Sequence, residues 1–236
     1  MLLVAFGCVS ESGLDMQTRE YTGEICDSCP VVRVSVPEAI NQRGLGRTVN
    51  TAIREEILEL LDYDEAHEAV DIPGAIAAFQ QGFQKMQREF PEELTGWEAS
   101  VEGVKSYEDK DVLCIRLDTY IFTGGAHGYP STRYLNFDKG KGKELDALEL
   151  FSKPDGFASY AEAAFRKHYN IEPDAPINST GFMFEDNRFI LPENIGLAAE
   201  GLILHYNPYE AASYADGALI LEFPFSEIRD YLAWAE

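Results

Sequence analysis

The sequence of 236 residues contains few basic side chains and no long apolar run. Lysine and arginine total 19 against 41 aspartates and glutamates, which gives a formal net charge of −22. Such a surface repels the phosphate backbone of nucleic acids and anionic lipid headgroups, because both are bound by clustered lysine and arginine. No apolar run approaches the roughly 20 residues that cross a bilayer. The sequence therefore predicts no nucleic-acid partner and no membrane-spanning segment.

Glycine and proline, with 19 and 11 residues, show no enrichment of the kind found in collagen-like or low-complexity chains, and 45% of the residues are apolar and 25% are charged. These proportions are typical of a globular protein and exclude a disordered, collagen-like or disulfide-stapled chain. The length allows one large domain or two small ones with a real core. The acidic surface favours basic protein partners or divalent cations, although such charge can serve solubility alone.

The N-terminus has the composition of a shortened export signal. An apolar stretch from Met1 to Phe6 is followed by Gly7 and Cys8 and then by a polar tract. This order resembles the end of a bacterial lipoprotein signal, in which the cysteine is lipidated and the polar tract serves as a tether. Phe6 is bulky for such a signal, and no basic segment precedes the apolar stretch. We expect a lipid anchor at Cys8, with a frayed apolar terminus as the alternative.

Three further cysteines follow. Cys26 and Cys29 form a C-x-x-C, but Pro30 and a strand-like run come next, whereas a thioredoxin-like redox pair opens a helix. A zinc site needs four ligands, and the sequence has no second C-x-x-C or C-x-x-H. We predict a local disulfide, or two thiols in a turn that enters a strand. Cys114 lies in an apolar strand and is predicted to be a buried free thiol.

The spacing of apolar residues predicts an α+β fold. Two amphipathic helices are predicted in the N-terminal half, around residues 49–61 and from the N-cap Asp71 to Phe90. From Gly96 the apolar period changes to two, which predicts a long antiparallel strand pair. Further predictions are a strand at Ser131–Phe137, a helix from Pro154 capped by Ser152, strands at Arg188–Leu191, Gly201–Tyr206 and Ala218–Pro224, and a terminal helix near Ser226–Trp234. The result is one or more antiparallel sheets with two helices in the N-terminal half and one to two in the C-terminal half.

No catalytic centre is recognisable from motifs in the sequence. The sequence contains no G-x-S-x-G, H-E-x-x-H, G-x-x-x-x-G-K-[ST] or G-x-G-x-x-G. The four histidines, His67, His127, His168 and His205, are far apart in the sequence. We therefore predict no catalytic residue, no metal site and no cofactor.

The stretch from Tyr120 to Gly128 carries the most information. Its adjacent glycines, Gly124 and Gly125, permit positive φ angles at a strand end. His127 can lock this loop through hydrogen bonds or present an imidazole. A stabilised hairpin loop is the simplest interpretation.

Five linked motifs resemble those of a known family. They are Y-x-x-T-G-G-A-H at Tyr120–His127, N-F-D at Asn136–Asp138, G-K-x-L at Gly142–Leu145, L-F at Leu150–Phe151 and Y-x-P-Y-E-x-A-x-Y-A-x-G at Tyr206–Gly217. In this order they resemble bacterial envelope proteins with a paired domain of unknown function, typified by the RsiV anti-sigma factor and the N-terminal part of the deacetylase PdaC. The resemblance runs from about residue 20 to the end. It divides the chain into a signal remnant and tether at 1–18, a PdaC-like subdomain at 19–140 and an RsiV-like subdomain at 141–236, packed as one unit.

The resemblance implies a binding function. RsiV-like proteins sense lysozyme by binding it outside the membrane, whereas PdaC carries its chemistry in a separate deacetylase domain. The sequence ends at Glu236, so we expect neither that domain nor the transmembrane and sigma-binding segments of RsiV. We expect a non-catalytic, extracytoplasmic lipoprotein of the bacterial envelope that binds a protein or a glycan, with lysozyme as the first candidate.

The candidate ligand-binding residues lie in the glycine loop and among the tyrosines, because tyrosines stack on sugars and anchor protein interfaces. They are Thr123, Gly124, Gly125, His127, Tyr129, Tyr206, Tyr209 and Tyr214. A structural role is the alternative, with Tyr209 and Tyr214 pinning an irregular loop. Two other functions remain open: a hydrolase of cell-wall sugars that uses His127 with an unidentified carboxylate, and a purely structural envelope domain.

Overall fold

The computed structural model describes residues 13–26, 29–63, 69–91 and 96–234. Nine strands and four α-helices lie in these ranges, together with short 3₁₀ turns. In chain order they are β1 (Met16–Thr22), β2 (Val31–Ala39), α1 (Leu45–Leu61), α2 (Ile72–Glu89), β3 (Glu98–Glu108), β4 (Val112–Phe122), β5 (Tyr129–Asp138), β6 (Lys143–Leu145), α3 (Pro154–His168), β7 (Asn194–Ala198), β8 (Gly201–Tyr206), β9 (Leu219–Pro224) and α4 (Phe225–Ile228). The predicted α+β class, with helices in both halves, is confirmed.

The first sheet has six strands in the order β1-β2-β3-β4-β5-β6. Neighbouring strands are antiparallel except β2 and β3, which are parallel because α1 and α2 form the crossover between them. The two helices pack their apolar stripes on one face of this sheet, against alternate residues of β2 to β5. The sheet includes β6 and so extends past residue 140, where the sequence predicts the division between the subdomains.

Helix α2 begins as predicted, since the Asp71 side chain accepts a hydrogen bond from the backbone N–H of Gly74 at 2.8 Å. Its stripe is buried through Phe83. Met86 and Phe90 continue the same apolar spacing, which predicts a buried face, but they are 39% and 47% exposed. The last turns of α2 extend beyond the residues that bury the rest of the stripe.

The second core lies on the opposite face of the first sheet. It contains the antiparallel sheet β7-β8-β9 and α3, whose Phe157 and Phe165 are fully buried. An aromatic group surrounds Phe165, with ring centroids 5.3 Å from Phe184 and 6.1 Å from Tyr206. This core also includes Cys114 from β4.

Two predictions in the C-terminal half are wrong. Residues 188–191 are not a strand; β7 begins at Asn194, after Pro192, which has no N–H to donate to a sheet. Ser152 does not cap α3, because its hydroxyl donates to the Tyr231 carbonyl at 3.1 Å and the N-cap residue is Lys153. The predicted terminal helix is present but shorter than expected, because it consists of the four-residue α4 followed by a 3₁₀ turn.

Hydrogen bonds and close packing join the two sheets. The Asn136 side chain donates to the Ile195 carbonyl at 2.8 Å, and the Leu197 N–H donates to the Cys114 sulfur at 3.4 Å. Gly196 lies against the ring of Tyr134, so closely that a side chain there would overlap the ring. The asparagine of the N-F-D motif thus connects β5 to β7.

Candidate functional site

The two segments that carry the family resemblance contact each other. The Tyr214 hydroxyl donates to the Gly128 carbonyl at 2.8 Å, and the Tyr129 hydroxyl donates to the Pro208 carbonyl at 3.1 Å. The ring of His127 stacks on that of Tyr214, with centroids 3.7 Å apart and planes inclined by 16°. Segments about 80 residues apart in the sequence therefore form one surface.

The glycine loop has the backbone that its sequence predicts. Gly124 and Gly125 have φ angles of 106° and 89°, which residues with side chains rarely adopt. Gly128 is buried against the Tyr120 ring, and a side chain at Gly128 would overlap that ring. Thr123 is half-buried at the start of the loop. These glycines shape the loop that carries His127.

The tyrosine-rich segment is attached to the edge of β5 by an asparagine. The side-chain oxygen of Asn207 accepts from the Thr132 N–H at 2.8 Å, and its nitrogen donates to the Thr132 carbonyl at 3.1 Å. These are the two hydrogen bonds that a neighbouring strand would make, and the short β6 does not reach this part of β5. Asn207 therefore closes the sheet edge where β6 ends.

Glu210 fixes the turn that follows. Its carboxylate accepts from the N–H of Asn207 at 2.8 Å and from that of Glu193 at 3.1 Å. Burial raises the pKa of Glu210 above its ordinary value, against the opposing effect of these two hydrogen bonds. The turn holds Tyr209 at a φ angle of 72°, a left-handed conformation that is uncommon for a bulky residue.

Three of the predicted aromatic residues form a surface cluster, which we call the aromatic patch: His127, Tyr209 and Tyr214. Tyr209 is 56% exposed, and the centroid of its ring lies 5.6 Å from that of the Tyr214 ring. Tyr129 is half-buried beside them. The patch presents aromatic rings whose positions are fixed by the contacts described above.

Tyr206 is not part of this surface, contrary to the expectation from the sequence. It is 2% exposed and packs in the aromatic group of the second core, while its hydroxyl donates to the Ile190 carbonyl at 2.8 Å. The end of β8 turns this ring inward, opposite to Tyr209. Tyr206 therefore supports the fold and does not face a ligand.

Among the described residues, neither His168 nor His205 has a ring contact with the patch. The His127 ring nitrogen Nδ1 lies 3.1 Å from the Gly128 carbonyl, so the hydrogen bond found for this ring goes to backbone and not to a carboxylate. His205 is buried, and its pKa is lowered by burial. A disulfide joins Cys26 to Cys29, whereas Cys114 is a buried free thiol. Cys8 and His67 lie outside the described residues.

A cleft lies beside the patch, between α1 and the part of β5 that β6 does not cover. Its volume is about 500 Å³, which is within the range of small-ligand sites, about 300–1,000 Å³. Its polar lining includes Tyr129, Ser131, Thr132, Asn194 and Asn207, and its charged lining is Glu56, Glu59, Arg133 and Glu193. We call this feature the cleft.

Sequence reasoning missed most of the cleft. Glu59, Arg133 and Asn194 come from three elements and form no motif. The alternation of β5 places Ser131 and Arg133 on the same face of the sheet. Periodicity does not show that this face lies next to α1. Only Tyr129 of the cleft belongs to the residues predicted from the sequence.

Within the described ranges, no group of three or more histidine, cysteine, aspartate or glutamate side chains is arranged to hold a metal ion. None of the helices in the same ranges is long and apolar enough to span a membrane.

Comparisons with known proteins agree with the motifs. The family model described as "Deacetylase PdaC" matches residues 27–129, and the model described as "Protein of unknown function (DUF3298)" matches residues 149–226. No curated protein matches the chain.

Two crystal structures have a similar fold. One is a DUF3298 family protein from Pseudomonas aeruginosa PAO1, with 19% identity, a TM-score of 0.66 and coverage of 95% of this chain and 97% of that one. The other is a member of the DUF3298 family from Bacteroides fragilis NCTC 9343, with 16% identity, a TM-score of 0.64 and coverage of 93% and 92%. The chain thus pairs a PdaC region with a DUF3298 region, and the family resemblance predicted from its motifs is confirmed.

Proposed function

We propose that this protein is a non-catalytic binding protein of the bacterial cell envelope, anchored by a lipid at Cys8, and that it binds a protein ligand, with lysozyme as the first candidate. The observation that carries the proposal is the aromatic patch. There the exposed Tyr209 ring is held beside the stacked pair of His127 and Tyr214.

The patch has the properties of an interface anchor. Tyrosine supplies a large contact area together with a polar hydroxyl, and it is enriched among the residues that dominate binding energy. Backbone conformations such as that of Tyr209 are unfavourable and are concentrated at sites that clamp ligands. The hydrogen bonds of Glu210 and Tyr214 keep the patch in place before a ligand arrives, which reduces the entropy lost on binding.

Charge favours a basic protein as the ligand. The net charge of −22 attracts basic proteins and accelerates their encounter at low salt. Lysozymes are usually strongly basic, and the resemblance to RsiV points to the same ligand. A glycan is the alternative ligand, because the same tyrosine rings can stack on sugars.

An extracytoplasmic location is supported by the disulfide between Cys26 and Cys29. Disulfides persist in oxidising compartments and are rare in the reducing cytosol. The family resemblance points to the same compartment.

The proposal is tested by calorimetric titration of the purified chain with lysozyme at about 50 mM and about 150 mM salt, which bracket moderate and physiological screening. Cytochrome c serves as an equally basic protein unrelated to lysozyme. We expect saturable lysozyme binding that persists at the higher salt and blocks lysozyme activity. If both proteins bind weakly and the higher salt abolishes both, charge explains the attraction and the lysozyme proposal is wrong; glycans would then be titrated.

A substitution at Tyr209 tests whether the aromatic patch is the binding surface. Tyr209→Asn removes the ring but retains a residue that tolerates the left-handed backbone, and we expect lysozyme affinity to fall by about tenfold or more. Phe90→Asn, which removes a similarly exposed aromatic ring from the end of α2, should leave affinity unchanged.

His127→Ala tests the hydrolase alternative, because lost turnover of cell-wall sugars in a folded variant would favour an enzyme.

A further inference from the structure

We propose that a groove in the C-terminal half is a docking site for a protein segment that carries aliphatic side chains flanked by lysine or arginine. The groove lies between the segment that precedes β7 and the strand β6 with the 3₁₀ turn after it, and its volume is about 820 Å³. We call it the apolar groove. Neither Tyr209 nor Tyr214 lines it, so the proposal does not depend on lysozyme binding at the aromatic patch.

Exposed aliphatic side chains from two segments meet at the groove. Leu148, from the 3₁₀ turn, and Ile190, from the segment before β7, are 52% and 53% exposed. Leu145, Phe189 and Leu191 add half-buried apolar surface to the same groove. Scattered apolar residues are normal at a protein surface, whereas a contiguous apolar patch marks a site of interaction. The groove therefore offers accessible apolar surface for a partner to cover.

Hydrogen bonds hold both sides of the groove in place. The Ile190 carbonyl accepts a hydrogen bond from the Tyr206 hydroxyl at 2.8 Å. In the 3₁₀ turn, the N–H of Asp146 donates to the Glu149 carboxylate at 3.0 Å, and Leu150 anchors the end of the turn in the second core. The exposed side chains thus project from a fixed backbone, which reduces the entropy lost when a partner binds.

The rim of the groove is acidic. Its charged residues are one arginine and five acids: Arg133, Glu144, Asp146, Glu149, Asp155 and Glu193. Arg133 is paired with Glu56 at 3.1 Å, and Glu149 is paired with Lys143 at 2.7 Å. The other four acids form no ion pair with any residue that the structure describes. Apolar surface with an acidic rim is complementary to aliphatic side chains that have basic neighbours.

Other partners match only one of these two properties. A second copy of this chain would bring another net charge of −22 against the acidic rim, and anionic lipids would be repelled in the same way. A glycan would be bound by aromatic rings and hydrogen-bonding groups, whereas Leu148 and Ile190 offer only aliphatic surface. Protein segments commonly dock into grooves as an amphipathic helix or as an extended strand, and a basic segment of either kind matches both properties.

The test is fluorescence anisotropy of the full chain with two labelled peptides of leucine and lysine at about 150 mM salt. Leucine follows the helical period in one peptide and alternates with lysine in the other. Control peptides replace leucine by serine or lysine by glutamate, so that each control lacks one of the two properties. We expect saturable binding of at least one leucine–lysine peptide, the tighter of the two showing the conformation of the segment, and about tenfold weaker binding of the controls. Equal affinity for either control, or no binding of both leucine–lysine peptides, would overturn the proposal.

Substitutions in the protein locate the site of peptide binding. Leu148→Ser and Ile190→Ser should each weaken binding by about fivefold or more, because each removes an aliphatic contact from an exposed position. Met183→Ser is the matched control, since Met183 is 48% exposed but does not line the groove. Tyr209→Asn should leave peptide binding unchanged. An equal loss in Met183→Ser or Tyr209→Asn, or unchanged affinity in both groove variants, would show that the peptide binds elsewhere and would refute the site.

A pair of charge variants tests the acidic rim. Asp155→Asn should weaken peptide binding by about two- to fivefold, the range of an exposed ion pair. Asp174→Asn removes an exposed aspartate outside the groove and should leave affinity unchanged. Equal affinities of the two variants would show that the net charge of the chain, and not the rim, attracts the peptide, which would refute the proposed charge complementarity.

Discussion

Replacing Asn207 by alanine tests whether this side chain attaches the tyrosine-rich segment to the first sheet. The substitution removes the hydrogen bonds of 2.8 Å and 3.1 Å to the backbone of Thr132. Thr132 is 9% exposed, so water has little access to the groups that lose their partners. Each such hydrogen bond contributes about 0.5–1.5 kcal/mol, and a buried group without a partner costs about 1–3 kcal/mol. We expect the free energy of unfolding to fall by about 2–3 kcal/mol.

The assay is urea denaturation followed by circular dichroism, which gives the free energy of unfolding by linear extrapolation. In a chain of this size the expected loss corresponds to a fall in Tm of about 4–12 °C. Gln42→Ala is the control, because Gln42 is an exposed amide whose side chain has no hydrogen bond to the described residues. A loss below about 0.5 kcal/mol in Asn207→Ala, no larger than an ordinary surface substitution, would show that water replaces the amide and that the reasoning is wrong.

Two further substitutions test the packing of the sheets and the charge near the cleft. Gly196→Ala places a methyl group into the Tyr134 ring and should destabilise the protein by about 1–3 kcal/mol. The control is Gly96→Ala, which should change the Tm little because the space around Gly96 is open. Equal Tm values for the two variants would refute the predicted overlap. Partial desolvation and the neighbouring Glu56 carboxylate raise the pKa of Glu144 above its ordinary value. The folded state therefore binds this proton more tightly than the unfolded state, and the resulting stability is present at low pH and lost as pH rises. Glu144→Gln should therefore raise Tm relative to the parent chain at pH 7 and not at pH 4, and an equal shift at both pH values would contradict the burial effect.

The sequence predicts those parts of the fold whose signal is local. The stripe from Ile72 to Phe83 repeats at the helical period over three turns, and its burial on the first sheet follows from that pattern. The strand predicted at 188–191 is wrong because apolar residues alone do not distinguish a strand from an extended loop, and Pro192 delays the pairing. Tyr206 was misplaced for a related reason. A tyrosine at a strand end can face either the core or solvent, and only the packing of the second core decides between them.

The part of the candidate site that consists of motif residues could be predicted from the sequence, whereas the cleft could not. The glycine loop and Tyr214 belong to recognised motifs, and the structure brings them into contact. The cleft depends on how α1 lies against β5 and where β7 begins, which are tertiary relations between residues such as Glu59 and Asn194. No periodicity within one element records such a relation.

The motif residues and the free surfaces have different roles in this molecule. Asn136 and Asn207 each donate a side-chain hydrogen bond to the backbone of another segment, so they hold the second sheet and the tyrosine-rich segment to β5. The exposed Tyr209 ring contacts Tyr214 but makes no hydrogen bond to another segment among the described residues. Substituting Asn136 or Asn207 should therefore lower the Tm, and any loss of binding should follow from the lower stability. Substituting Tyr209 should instead reduce binding at an unchanged Tm. Measuring both quantities on the same variants separates the framework of the protein from its binding surfaces.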